Sequence, residues 1–336
     1  MRHATADQPW TIRPLAREDL AAVAAIDAAI EGGSRRTYVE RRLAAALREP
    51  ALHAQFAACD ERGLAGYILA RVLAGEFGRT PPSLRLELVG IRSDLQRQGA
   101  GARLFDVLAQ WASRHGMGAL RTSAHWSNVR ILGWLQAMQF RLAPDVVLVL
   151  DAGHVPACVA PAVALPEGDA PGHERDFGAA ETNDHERMAR DSADIAAMAP
   201  ADLREIVRID RSVTGRDRAG YISGLLAEAT EASRTRVSLV ARMDGAIVGF
   251  VMARADIGDF GRTEPVAVLD TIGVDPEYAR RGVGRSLIER LFANLSQLQV
   301  ERLETLVSLA DLELLGFFQE AGFVPSQRLA FERAIG

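Results

Sequence analysis

The sequence predicts two tandem domains of the α/β or α+β class, each a sheet with helices covering both faces. Three observations carry this. A chain of 336 residues is too long for one ordinary core and fits two domains of about 150 residues each. The chain also repeats itself. Gly75-Glu76-Phe77-Gly78-Arg79-Thr80 returns as Gly258-Asp259-Phe260-Gly261-Arg262-Thr263, 183 positions later. The same ungapped shift pairs Asp19-Leu20 with Asp202-Leu203, Ile26-Asp27 with Ile209-Asp210, Tyr38 with Tyr221, Ala70-Arg71 with Ala253-Arg254, Gly90 with Gly273, Gly99 with Gly282, Gly101 with Gly284 and Phe140 with Phe323. Solenoid units run about 20–50 residues, so a period this long marks duplicated domains. Third, each copy alternates short apolar runs with segments of helical periodicity.

The first copy covers residues 9–151 and the second 192–336. Residues 152–191, with Pro156, Pro161, Pro166 and Pro171 among Gly, Ala and acidic residues, read as a linker. In copy one a short strand at Trp10–Arg13 leads to a helix over Asp19–Ile30 with Asp19 as its cap. A second helix spans Tyr38–Leu47. Strands follow at His53–Asp60 and Ala65–Leu73, then the loop with the repeated hexapeptide, then a strand at Leu84–Ile91. A long amphipathic helix runs from Gly101 to His115. A strand at Ala119–His125, a helix at Val129–Gln139 and a strand at Val146–Leu150 complete the copy. Copy two follows the same plan.

Composition narrows the function classes. Hydrophobic residues at 48% and charged residues at 25% fit a globular protein, and a net charge of −5 in mixed signs gives no basic face for nucleic acid. No apolar run reaches the ~20 residues of a membrane span. Met1–Asp7 lacks the apolar stretch of a signal peptide, and Cys59 and Cys158 have neither metal nor redox spacing. A cytoplasmic protein without a metal is expected.

The chemistry is expected where a strand runs through glycines into a helix. In copy one this is Gln96-Arg97-Gln98-Gly99-Ala100-Gly101-Ala102, and in copy two Ala279-Arg280-Arg281-Gly282-Val283-Gly284-Arg285. Glycines there let backbone N–H groups turn toward a ligand, and the helix adds its unpaired N–H groups and dipole, a cradle for a pyrophosphate. Taken singly, such glycines equally serve a tight turn and close packing. A dinucleotide fold is disfavoured, because the third glycine is missing and the motif does not follow the first strand.

With Gln96-x-x-Gly99-x-Gly101, each half resembles a GCN5-related N-acetyltransferase (GNAT), whose coenzyme A loop reads Gln/Arg-x-x-Gly-x-Gly/Ala. The second copy departs from it at Ala279. The resemblance covers both copies nearly end to end and implies, for each, a mixed and mostly antiparallel sheet flanked by helices. It implies acetyl-CoA as co-substrate, no metal, and a small-molecule amine or protein lysine as acceptor, with no nucleic acid or membrane partner, in a monomer or homodimer. The coenzyme A pyrophosphate is expected on the amides of Gln98–Ala102 and Arg281–Arg285, beside Gln96, Arg97 and Arg280. Val89, Ile91, Ile272 and Val274 on the preceding strands, and Asn128 after the next strand, are further expected contacts.

Glu87 and its counterpart Asp270 fall on the strand that lines the acetyl group in this family. A carboxylate there can take the proton of an ammonium substrate, since only the neutral amine attacks. The alternative is an outward-facing surface acid. The family often places a tyrosine acid where Leu135 and Phe318 stand here, so that acid is missing in both copies. His125 is a candidate replacement or a packed residue. Tyr38 and Tyr221 fall near the family's acceptor wall, as does the hexapeptide loop with Arg79 and Arg262. Whether one half or both work is left open, as are a longer acyl group and a non-catalytic acyl-CoA sensor.

Overall fold

The structure is a computed structural model and describes residues 10–73, 82–151, 193–231, 236–257 and 265–335. Strands β1 (Thr11–Pro14), β2 (His53–Asp60), β3 (Gly63–Leu73), β4 (Ser83–Ile91), β5 (Ala119–His125) and β6 (Arg141–Asp151) belong to the first half, with helices α1 (Leu20–Glu31), α2 (Arg36–Arg48), α3 (Ala100–Arg114) and α4 (Val129–Ala137). The second half repeats them as β7 (Asp194–Ala197), β8 (Arg236–Met243), β9 (Ala246–Ile257), β10 (Pro265–Val274), β11 (Arg302–Ser308) and β12 (Val324–Ala334), with α5 (Leu203–Thr214), α6 (Ala219–Glu231), α7 (Val283–Gln297) and α8 (Leu312–Glu320). The expected mixed sheet with helices on both faces is present in each half. The expected linker and both hexapeptide loops lie outside the described residues.

Local chemistry explains the helices. In α3 the buried positions are Ala100, Leu104, Phe105, Leu108 and Ala112, one face at helical spacing. Helices α1 and α5 both stop at a glycine in the left-handed region, Gly32 and Gly215, a conformation that costs other residues about 1 kcal/mol or more. The expected Asp19 cap is a correction. Asp19 occupies the N-cap position of α1 but makes no side-chain cap bond there. Its carboxylate turns back to accept from the Ala16 N–H at 2.9 Å and from Arg13 at 2.6 and 2.7 Å. Asp202 does the same with Ala199 and Arg242.

The twelve strands form one sheet in the order β1-β2-β3-β4-β5-β12-β6-β11-β10-β9-β8-β7. The two halves have exchanged their last strands. β12 pairs antiparallel with β5 over Arg328–Ala334 against Ala119–His125, and β6 pairs with β11 over Asp145–Asp151 against Arg302–Ser308. The exchange extends into the cores, since Leu148 and Leu150 of β6 are buried among second-half residues such as Leu269, Leu303 and Phe318. β6 is also longer than the expected Val146–Leu150. It sits between β11 and β12, and its first residues are held in the ladder by β12, through Arg141 opposite Glu332 and Leu142 opposite Phe331.

A partly buried ion-pair chain forms a second link between halves. Arg71 on β3 donates to Glu228 on α6 at 2.9 Å. Glu228 also accepts from Arg236, which reaches Asp270 at 3.2 Å. Burial pushes the Glu228 carboxyl up, but Arg71, Arg236 and Arg254 together hold it below its usual value. The unfolded chain therefore binds a proton on this group more readily than the folded chain. Its stabilisation is complete above the unfolded value, about pH 4.3, and is lost as pH falls through the lower folded value.

Two outcomes are expected. Residues 1–151 produced alone lack the strand that belongs beside β5 and aggregate or remain unfolded, whereas co-production with residues 192–336 restores a soluble folded complex. A soluble, cooperatively melting 1–151 fragment would contradict the exchange. In denaturant titrations across pH, Glu228→Gln lowers stability at neutral pH and flattens its decline below about pH 4.5. An acid limb as steep as that of the unaltered chain would remove Glu228 from the account.

Candidate active site

The site arises where two strands part. β4 and β5 run parallel only through Ser83–Arg85 and Ala119–Arg121. There the Thr122 hydroxyl donates to the Leu86 carbonyl at 3.2 Å. Beyond that point the residues of β4 up to Ile91 pair with β3 alone. Among the described residues no strand lies beside this edge of β4, which is thus left open with a row of backbone polar groups. The second half repeats this, with β10 and β11 joined only at Ala267–Val268 and Leu303–Glu304, and Thr305 donating to the Leu269 carbonyl at 3.4 Å.

The glycine loop closes one end of the opening. Gly99 and Gly282 are the N-caps of α3 and α7 with φ of 97° and 80°. Arg97 and Arg280 also take positive φ, 63° in each case. An arginine held in that region is a strained backbone, of the kind that clusters at ligand clamps. Gln96 donates its side-chain amide to the Ile91 carbonyl at 3.1 Å and ties the loop to the end of β4. Ala279 has no such group. The second glycine serves packing as well. A Cβ on Gly101 would come within 3.1 Å of the Trp134 indole nitrogen, and one on Gly284 within 2.8 Å of the Phe317 ring.

In the first half these elements enclose a cleft of about 520 Å³. Of the residues expected at the site, Val89, Ile91, Gln96, Arg97, Gly99, Gly101, Ala102, His125 and Asn128 line it. Asn128 also caps α4, accepting from the Ile131 N–H at 3.2 Å. His125 is exposed and lies 2.7 Å from the Ser127 hydroxyl. Gln98 does not line the cleft and donates its side-chain amide to the Asp94 carbonyl at 2.8 Å, and Ala100 is buried in the first turn of α3. In the second half, Val283 and Gly284 are buried in α7, Ile272 and Val274 pack against the core, Arg285 pairs with Glu289 at 2.9 Å, and the Arg281 guanidinium lies over the Tyr278 ring.

Glu87 and Asp270 occupy equivalent bulges. Pairing jumps from Leu88↔Leu69 to Leu86↔Ala70 around Glu87, and from Thr271↔Met252 to Leu269↔Ala253 around Asp270. A bulge re-aims its side chain, and both carboxylates are buried rather than on the surface. Glu87 lies immediately before the cleft-wall residues Leu88 and Val89, with Arg42 at 3.5 Å. Asp270 is more tightly held, one oxygen bonded to Arg254 and the other 3.2 Å from Arg236. The difference is written in the repeat, where His53 stands in the place of Arg236. Burial pushes the His53 pKa down, which favours a neutral ring beside Glu87 where the second half has a fixed cation.

Tyr38 is packed in the core between α1, α2 and the sheet, with Arg35 and Arg42 against its ring, and is not a cleft residue. Tyr221 donates to the Asp270 carbonyl at 3.4 Å. Leu135 and Phe318 are fully buried. Sequence reasoning missed Glu31, Arg35, Arg130, Trp134 and Arg328, all on the cleft. Trp134 was open to discovery as the residue of α4 that faces Gly101. Arg328 was not, because nothing local in β12 announces that it pairs with the other half.

No curated protein matches this chain. Among solved structures, a GCN5-related N-acetyltransferase from Sphaerobacter thermophilus is similar over 98% of this chain and 97% of its own, at 15% identity and a TM-score of 0.57. A tandem GNAT protein from the clavulanic acid biosynthesis pathway is similar over 97% of this chain and 99% of its own, at 15% identity and a TM-score of 0.59. A glucosamine N-acetyltransferase region in a fungal multi-domain GH3 β-N-acetylglucosaminidase matches 98% of this chain at 14% identity and a TM-score of 0.61, and the match spans 39% of that chain. At these identities the likeness is one of fold. The family model of the acetyltransferase (GNAT) family matches residues 20–136 and again 202–323, well over half of the sequence, and the protein therefore belongs to that family.

Proposed function

We propose that the chain transfers an acetyl group from acetyl-CoA to an amine, and that the first half carries the working site. The observation that supports this best is the open edge of β4 running directly into the strained glycine loop, with a cleft of about 520 Å³ beside both. The residues present suit coenzyme A. Backbone N–H groups of Gln98–Ala102 at the start of α3 take the pyrophosphate. The unpaired polar groups of β4 between Leu88 and Ile91 accept a chain bearing amides as a further strand would. The backbone N–H of Val89 polarises the thioester carbonyl.

Glu87 accepts the proton of the attacking amine through water. Among the described residues its ion pair is with Arg42 at 3.5 Å, a looser hold than that on Asp270, both of whose oxygens are engaged by arginines, and this asymmetry favours the first half. No side chain at Leu135 serves the leaving sulfur, and a thiol with a pKa of about 8.5 departs as thiolate without one. The same absence supports the second reading, a non-catalytic acyl-CoA sensor.

Thiol release from acetyl-CoA, measured with a panel of amines and a lysine peptide, separates the two. The expected result is turnover that Glu87→Gln lowers by about 100-fold or more while acetyl-CoA affinity changes by less than about twofold. Binding of acetyl-CoA without turnover on any acceptor would favour the sensor. Gly99→Ala forces an L residue to a φ of 97°, a strain of about 1–2 kcal/mol. Calorimetry is expected to show about a tenfold loss of acetyl-CoA affinity, larger than the loss for Gly282→Ala. Equal losses would remove the assignment to the first half.

A further inference from the structure

The repeat sets an arginine at the same register from each buried acid, yet only the second-half arginine binds its acid. Arg254 of β9 stands opposite Val268 of β10, two residues before Asp270, and bonds the Asp270 carboxylate. Arg71 of β3 stands opposite Arg85 of β4, two residues before Glu87. The same bulge lies between arginine and acid in both ladders. An arginine at this position is therefore long enough to reach the acid beyond its own partner. Among the described residues, Arg71 is nevertheless ion-paired with Glu228 and not with Glu87.

Glu228 belongs to the other half. Arg71 donates from Nη2 to both of its carboxylate oxygens, at 2.9 and 3.2 Å. The guanidinium is thus held across the junction, while its charge still acts, with those of Glu87 and Arg42, on the His53 ring that lies opposite Arg71 on β2. Glu228 breaks the symmetry of the repeat. Its counterpart in the first half is Ala45, which has no charge to draw Arg254 from Asp270. Arg85 adds to the effect, because it faces Arg71 where Val268 faces Arg254, and like charges opposite each other on a sheet repel. A link between halves could use any acid and base. This one takes its arginine from the register that supplies the partner of Asp270.

We propose that Glu228 is a positioning residue of the first-half site, which by holding Arg71 keeps a second arginine off Glu87 and leaves that carboxylate able to accept a proton. This rests on the transferase reading above, in which Glu87 is the base. An arginine bonded to a carboxylate favours its charged form and so weakens it as a base. Asp270, held by both Arg254 and Arg236, displays the arrangement that Glu228 prevents at Glu87. The second half thereby sets the state of the acid in the first.

The test measures thiol release from acetyl-CoA by the full chain, with the amine of the panel that the unaltered protein turns over fastest, well below the melting temperature of every variant. Glu228→Gln frees Arg71 to reach Glu87, and kcat is expected to fall about tenfold or more, with acetyl-CoA affinity changed by less than about twofold. Adding Arg71→Met removes the freed arginine and is expected to restore kcat to within about threefold of the unaltered protein. A link that only joins the halves predicts no such recovery, since the double variant has lost the same pair. If Glu228→Gln fails to fold, Glu228→Asp keeps the charge but shortens the reach, and a loss of at least about threefold that Arg71→Met reverses is expected. An undiminished kcat in Glu228→Gln, or a loss that Arg71→Met does not relieve, would overturn the proposal and leave the transferase reading standing. Acetyl-CoA bound by the unaltered protein without turnover of any amine would overturn both.

Discussion

The parallel ladder between β4 and β5 stops after Arg85 and Arg121, and the rest of the first half is organised around that stop. A strand pair that parts inside a sheet leaves backbone donors and acceptors without partners, which costs stability unless something takes them up. Thr122 takes the first, the Leu86 carbonyl. The bulge at Glu87 turns the strand at the same place. From there to Ile91 the edge stays open and leads straight to Arg97 and Gly99 in left-handed conformations. Opening, bulge and loop are consecutive in the chain, so one departure from regular pairing produces both the cleft and the glycine loop that closes its end.

The outer edge of β5 raises a separate demand, and strand exchange meets it. β12 supplies the missing neighbour, and β6 returns the favour to β11. The halves are therefore not beads on a string, and Leu150, a first-half residue, lies in the second core. The exchange also ties the first-half cleft to the second copy, since Arg328 of β12 lines it. The buried acids differ between the halves. His53 beside Glu87 and Arg236 beside Asp270 give two carboxylates at equivalent bulges different surroundings.

Much of the fold and part of the site were legible in the sequence, for physical reasons. The register of 183 residues exposed the duplication because the positions that resist change, Gly90 against Tyr67, Gly273 against Phe250 and the helix-ending Gly32 and Gly215, are constrained by backbone geometry in both copies. The loop was legible because only glycine tolerates φ near 97° without strain, and α3 because its apolar face keeps helical spacing. The ion pairs around Glu87 and Asp270 were not, since an acid on an alternating strand looks the same whether it meets water or arginine. The sequence does not separate a helix cap at Asp19 from its actual bonds, because an aspartate before a helix serves the preceding turn equally well. The position of Tyr38 on α2 does not tell which way its ring faces, and it faces the core. The strand exchange lay beyond local reading, because β12 has the same pattern whether it pairs with its own half or the other, and the cleft role of Arg328 was lost with it.

Hydrogen exchange on the full chain, with and without acetyl-CoA, tests the central claim most directly. The account predicts new protection of the backbone amides of Leu88–Ile91 and Gln98–Ala102, contiguous in the first half and stronger than any change at the matching second-half segments. Protection confined to the second half, or none along β4 at saturating ligand, would contradict it.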